Sequence, residues 1–265
     1  MKRHKPFIII VLLKVATLTR ILLSLRYKVS IKGIEVIKNT IPILILPNHQ
    51  ALIDPVLLMS HIYRYSLAIP VISSTYYDIP LLRSIFSGLG AVRVSNLEAG
   101  SRNINVLNEI TRSVLKAFRR GRSVVLYPSG QLASHGYEKI LNKKSAHKIV
   151  NKIPDDVRVI GVRMNGLWGS MWSKARTGKT PNFFVQLLKA IFYILANLIF
   201  FLPRRKVTIE IEDLTLQAKT NARLGIKPFN LFLEDYYNFN GEENPNFLSH
   251  FFISGSLLSG KPVKY

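Results

Sequence analysis

The chain has 265 residues, enough to bury the core of one large domain with appendages. Lysines and arginines number 37 against 15 acidic residues, a net charge of +22, yet 48% of the residues are hydrophobic. Cysteine is absent, which excludes disulfides, thiolate metal sites and a cysteine nucleophile.

Basicity alone also suits a nucleic-acid binder, but no recognised nucleic-acid motif accompanies the charge. A basic chain that is this apolar fits an anionic bilayer surface better, where each nearby lysine or arginine adds about 1 kcal/mol. Met1-Lys2-Arg3-His4-Lys5 and the apolar run from Phe7 to Leu13 look like the start of a signal peptide. Lys14 and Arg20 interrupt the run and no small-residue cleavage site follows Leu13. The segment therefore reads as an uncleaved amphipathic helix from about Phe7 to Leu25 in the membrane interface. A tilted span with snorkelling cations is the alternative, and the interrupting charges weigh against it.

Tyr27 to Lys32 alternates apolar and polar residues, an edge-like strand, and Gly33 turns the chain towards Ile41-Pro42-Ile43-Leu44-Ile45-Leu46. That run is continuously apolar, as expected of a strand buried on both faces of an α/β sheet. At its carboxyl end, where open α/β sheets bind ligands, stand Asn48 and His49. Asp54 then reads as a helix N-cap with Pro55 at the first helical position, opening a helix to about Tyr65. A carboxylate one loop from an imidazole can fix the tautomer that leaves the other ring nitrogen free as a base. An ordinary histidine beside a capping aspartate would use the same residues.

Leu67 to Ile72 predicts a strand, Pro80 to Ser87 a short helix, and Gly88 to Val94 a glycine turn into a strand carrying Arg93. Ser101 to Arg120 predicts a helix with Leu107, Ile110, Val114 and Phe118 on one face and Gly121 as its stop. It leads into a buried strand, Ser123 to Tyr127, that ends in the loop Pro128-Ser129-Gly130-Gln131. Lys139 to Lys152 predicts a basic helix, and Val157 to Arg163 a strand followed by a loop with Trp168 and Trp172. Those tryptophans suit either a membrane interface or a packed core. Phe183 to Leu202 is long enough to cross a bilayer, but Gln186, Lys189 and Asn197 favour a helix or helical pair dipping into one leaflet, anchored by Arg204, Arg205 and Lys206. Lys206 to Glu212 alternates as a strand that rejoins the sheet. The tail from Lys227 offers little chemistry. Three parts are expected: a membrane-interface helix over 1–26, a main domain over 27–216 that includes the hydrophobic segment 183–202, and an extension over 217–265 packed on it.

Four ordered blocks resemble those of the glycerolipid acyltransferases, the group that includes 1-acylglycerol-3-phosphate acyltransferase. They are His49 with Asp54, the turn from Gly90 to Val94, Tyr127-Pro128-Ser129-Gly130, and the strand from Val159 to Val162. The resemblance spans about Val29 to Ile211 and implies an α/β fold, a central mostly parallel mixed sheet flanked by helices. It implies that His49 is the general base on a lipid hydroxyl and Asp54 its orienter. Asn48, Arg93, Tyr127, Pro128, Ser129, Gly130 and Gln131 would contact substrate. The co-substrate would be acyl-CoA or an acyl-carrier protein, with no cofactor and no metal. Acyl carrier proteins are acidic and suit the basic surface, although coenzyme A is also polyanionic. The expected place is the cytoplasmic face of the inner membrane.

The third block of the family reads aromatic-Pro-Glu-Gly-Thr-Arg. Here Ser129 stands for the Glu, Gln131 for the Thr and Leu132 for the Arg, while Asn96 aligns with the arginine that ends the second block. A phosphate monoester wants an arginine fork or several donors, so these departures shift the expected acceptor towards a lysophospholipid or another hydroxylated lipid. Arg93 is either a phosphate contact or a solvated strand arginine. A catalytically inactive lipid-binding member is the alternative reading of the same departures.

Overall fold

The computed structural model describes residues 6–38, 42–95, 104–199 and 202–251. Its strands are β1 (Tyr27–Lys32), β2 (Ile43–Pro47), β3 (Ile69–Ser73), β4 (Val92–Val94), β5 (Val124–Val125), β6 (Arg158–Asn165) and β7 (Arg205–Asp213). Its α-helices are α1 (Pro6–Ser24), α2 (Asp54–Ile62), α3 (Ser74–Tyr77), α4 (Pro80–Leu89), α5 (Ile104–Arg119), α6 (Ser145–Val150), α7 (Phe183–Ala196), α8 (Thr215–Leu224) and α9 (Ile226–Tyr237).

The strands form one sheet in the order β1-β7-β6-β2-β5-β3-β4. Five are mutually parallel, β6 to β4, whereas β7 meets β6 antiparallel and carries β1 parallel to itself at the edge. The expected mixed, mostly parallel sheet flanked by helices is what the structure has.

β2 lies in the middle and explains its own sequence. Ile43 and Ile45 enter the core on one face, Leu44 and Leu46 the core on the other, and all four are fully buried. A strand wetted on neither side has no polar positions. α1, α2 and α7 cover the Ile43 face through Leu23, Leu57, Leu58, Phe183 and Ala190. α5, α6, α8 and α9 cover the Leu44 face through residues such as Val114, Ile149, Ala218 and Phe229. Gly161 of β6 permits close packing there, because a Cβ would run into Leu214 and Tyr236.

Several predicted elements are shorter or differently made. The helix predicted over 139–152 is only α6. Residues 140–143 give their main-chain groups to α9 instead. Glu234 accepts from the N–H groups of Ile140 and Leu141, and Asn230 donates to the carbonyls of Leu141 and Lys143. The predicted strand from Ser123 shrinks to β5, although Ser123 and Leu126 still bond to Ile69 and Ile45. Residues 101–103 of the predicted long helix, and Asn96, lie outside the described residues. Trp168 and Trp172 are buried, so neither is a membrane-interface residue.

The two membrane-seeking segments are single helices with apolar outer faces. α1 exposes Ile10, Val15, Leu18, Ile21 and Leu22, and Lys14 is the exposed cation among them, so its outer side is not the charged face expected of an amphipathic helix. α7 exposes Phe184, Leu188, Ile191, Phe192 and Leu195. Among the described residues no helix is long and apolar enough to cross a membrane. The basic cluster after α7 is split. Arg204 and Lys206 are exposed, but Arg205 is buried, donating to the carbonyls of Gly166 and Asn246. It is therefore a structural tie and not a surface anchor.

Residues 238–251 run as an irregular strap from α9 back to α7. Asn246 bonds to Trp168, Arg26 donates to Pro203 and Ser249, and Asn197 donates to His250. The His250 ring stacks on Tyr193 with centroids 4.3 Å apart. Burial, then Arg26, Arg176 and Arg205, lower the pKa of His250 from 6.5 to about 4. Its neutral form is thus favoured in the folded state. The stability it contributes is full above pH 6.5 and is lost as pH falls towards 4. His250→Phe keeps a ring on Tyr193, and its denaturation midpoint should fall less steeply than wild type across that window. Equal slopes in urea titrations at a series of pH values would refute the assignment.

Candidate active site

The loop from Pro47 to Asp54 leaves the carboxyl end of β2 between the loops that follow β5 and β6. Its conformation is held by hydrogen bonds from distant parts of the chain. Asn48 is buried and pairs with both main-chain groups of Met164, donating to its carbonyl at 2.9 Å and accepting from its N–H at 2.7 Å. Gln50 accepts from Leu167 N–H and donates to Glu243, whose other oxygen accepts from Gly166 N–H. Leu52 N–H bonds to the Trp172 carbonyl, and Tyr237 of α9 donates to Leu46 O at 2.9 Å.

His49 is fixed at both ends of its peptide. Its N–H donates to Glu138 Oε2 at 3.0 Å, and its carbonyl accepts from Ala133 N–H at 2.7 Å. The ring then meets Asp54, Nδ1 lying 3.1 Å from Oδ2. Asp54 is fully buried, whereas the His49 side chain keeps 15% of its surface. That small opening leaves the ring accessible while its partner is out of water.

Asp54 is not the N-cap that the sequence suggests. It is the first residue of α2, Ile53 occupies the cap without a side-chain bond, and Oδ2 turns back to Ala51 N–H at 2.9 Å and to His49. Pro55 does stand in the first helical turn. Burial pushes the Asp54 pKa up, opposed by the His49 ring and by the Ala51 and Gln50 amides. Its second oxygen, Oδ1, is buried without a hydrogen-bond partner.

Tyr127 packs its ring against His49, with centroids 4.4 Å apart. Its hydroxyl is buried without a hydrogen-bond partner, and burial, reinforced by Asp54 and Glu138, raises its pKa well above 10. Ser129 is buried and donates to Gln131 O at 2.9 Å, ordinary turn chemistry that closes the loop on itself. Leu132 points into the protein and is buried, so the position where the family carries an arginine offers no cation to the site.

Asn48, His49, Asp54 and the 127–131 loop are therefore brought to one edge of the sheet. Arg93 is not. It lies on β4, three strand spacings or roughly 14 Å from β2, and donates through Nε to Asp78 Oδ1 at 2.8 Å. A guanidinium already held by a carboxylate must exchange that partner to hold a phosphate.

Two residues at the site carry no motif signal. Glu243 comes from the tail, and Glu138 from a basic stretch. The only cue to Glu138 is that it is the sole acidic residue between Glu109 and Asp155. Both carboxyls are raised in pKa by burial.

Residues 28–165, more than half of the chain, match the Acyltransferase family model. The chain belongs to the acyltransferase family. Among solved structures, the acyltransferase is similar to the 1-acyl-sn-glycerophosphate acyltransferase PlsC of Thermotoga maritima, with a TM-score of 0.58 and 16% identity. The match covers 91% of the acyltransferase and 82% of that chain, and it shows a shared fold. No curated protein matches it in sequence.

Asn48 ties the loop of the acyltransferase to β6 by two buried hydrogen bonds. Asn48→Ala should therefore destabilise it by about 3 kcal/mol, since two main-chain groups lose their partner. Urea denaturation monitored by tryptophan fluorescence measures this, and a loss below about 1 kcal/mol would mean that the loop is held elsewhere.

Proposed function

We propose that the acyltransferase moves a fatty acyl chain from acyl-CoA or an acyl-carrier protein to a free hydroxyl of a lysophospholipid or 1-acylglycerol-3-phosphate-like acceptor at a membrane surface. The observation that carries this reading is the contact between His49 Nδ1 and the fully buried Asp54. A carboxylate accepts, so Nδ1 carries the proton and Nε2 keeps its lone pair. Nε2 takes the proton of the acceptor hydroxyl as the oxygen attacks the thioester carbonyl. The tetrahedral intermediate collapses with loss of the thiolate, which recovers the proton from Nε2. No covalent acyl-enzyme is formed. Main-chain amides in the loops after β2 and β5 supply the kind of donors that stabilise the oxyanion.

The thioester is already activated, so a base on the hydroxyl is the group the reaction most needs. Leu132 is buried and Arg93 is paired with Asp78, so neither position directs a free cation at His49. That favours a lysophospholipid, whose phosphate is already a diester, over a phosphate monoester. In this reading Tyr127, Pro128, Ser129, Gly130 and Gln131 form the loop beside His49, the buried Asn48 holds the loop to β6, and Arg93 lies towards the far end of the sheet.

His49→Ala is expected to lower acyl transfer to a lysolipid panel by about 10²- to 10⁴-fold, read by mass spectrometry of the products, while leaving sedimentation with vesicles unchanged. Asp54→Asn should fall comparably because the amide favours the other tautomer. Undiminished turnover in His49→Ala would end the mechanism, and no product from any acceptor with the wild type would favour a lipid-binding role.

The outer faces of α1 and α7 support a position in the headgroup boundary of the cytoplasmic leaflet, where acyl-CoA and acyl-carrier protein are present. Leu188 and Phe192 are 68% and 58% exposed, so replacing both by glutamate should leave stability unaltered. Binding to anionic vesicles should weaken by about tenfold or more, as two apolar side chains leave the bilayer. Unchanged co-sedimentation would remove α7 from the membrane contact.

A further inference from the structure

The acyl-transfer loop is held through the His49 peptide by a carboxylate that no motif contains. Glu138 belongs to the irregular stretch between β5 and α6, yet only 3% of it is exposed. Its own main chain is clamped on both sides by Asn238, which accepts from Glu138 N–H at 2.8 Å and donates to Glu138 O at 2.9 Å. So anchored, its side chain places Oε2 on His49 N–H at 3.0 Å. The other oxygen, Oε1, has no hydrogen-bond partner. Ser129 lies beside the carboxylate and eases its ionisation, but its single proton is directed to Gln131 O. A buried carboxylate with one empty oxygen is costly, and beside the neighbouring Ser129 hydroxyl the main-chain donor it holds is His49 N–H.

Ser129 stands where the third block of the family has its acid, and the carboxylate beside Ser129 comes from nine residues further along the chain. We infer that Glu138 is the positioning residue of this site, a relocated acid that fixes the His49 peptide and so the place of Nε2. It acts through His49 and touches no substrate. The inference rests on the general-base reading of His49.

The test contrasts two substitutions of similar volume. Glu138→Gln keeps an acceptor for His49 N–H, and Glu138→Met removes it. At saturating donor and lysophospholipid, Glu138→Met should lose about 10- to 100-fold in kcat, as expected for a small displacement of the base, with KM for the acceptor within about twofold. Glu138→Gln should stay within about threefold of wild type. Adding Ser129→Glu to Glu138→Met should restore at least a third of the wild-type kcat, by returning a carboxylate to the other side of the same space. Equal kcat for the Met and Gln variants would overturn the inference, and so would failure of Ser129→Glu to restore a folded Glu138→Met protein. If Glu138→Met does not fold, the exchange Ser129→Glu/Glu138→Ser decides: turnover supports the relocation, and a folded inactive protein overturns it. His49→Ala is assayed in parallel. Its activity would sink the general-base reading itself, whereas an inactive His49→Ala with a fully active Glu138→Met sinks only the role of Glu138.

Discussion

A histidine at the end of a buried strand is useful only if its peptide cannot move, and that constraint accounts for much of this structure. Five parallel strands end along one edge, and the loop that leaves the central one has few local partners for its main chain. The missing partners come from afar. Val162 of β6 accepts from Asn48 N–H, Glu138 and Ala133 of the loop after β5 take the two sides of His49, and Trp172 accepts from Leu52 N–H, while the Asn48 and Gln50 side chains bond to Met164, Leu167 and Glu243. Each buried main-chain group has to be paired, and pairing them with three separate segments fixes the loop in place. The 3.1 Å contact between His49 and Asp54 is the product of that framework.

The carboxylates show how burial and chemistry are coupled here. Asp54, Glu138 and Glu243 are all raised in pKa by burial in a protein that carries a net charge of +22. For Glu243 the buried Arg205 opposes that rise. What keeps them in place is a small set of main-chain and side-chain donors: Ala51 and His49 for Asp54, His49 for Glu138, Gln50 and Gly166 for Glu243. Arg163 of β6 is likewise held by Glu210, Glu212 and the carbonyl of Tyr236.

The two apolar helices follow a different logic. α1 and α7 pack their inner sides over the Ile43 face of the sheet and leave leucines, isoleucines and phenylalanines outside. Exposed apolar faces of this extent are unfavourable in water. The strap ties the two helices together through Arg26, Asn197 and the stacked ring of His250. The acyltransferase thus carries an exposed apolar layer, α1 and α7, on the Ile43 side of the sheet.

By itself the sequence determined the elements that bury a continuous or periodic apolar face. Ile43 to Leu46, the α5 stripe of Ile110, Val114 and Phe118, and the alternating β7 could be read because burial writes hydrophobicity at the period of the backbone. It also determined the His49 and Asp54 pair, since five residues across one loop can hold only so many geometries. Tertiary structure alone decided which donors and acceptors complete the site. Asp54 as a carboxylate that turns back to Ala51, the loss of helix over residues 140–143, Arg93 engaged by Asp78, and Glu138 under the His49 peptide each depend on contacts between residues far apart in the chain. Hydrogen bonds of that kind have no period in sequence. They arise from whichever main-chain groups the sheet leaves unpaired, and those are known only once the sheet has formed.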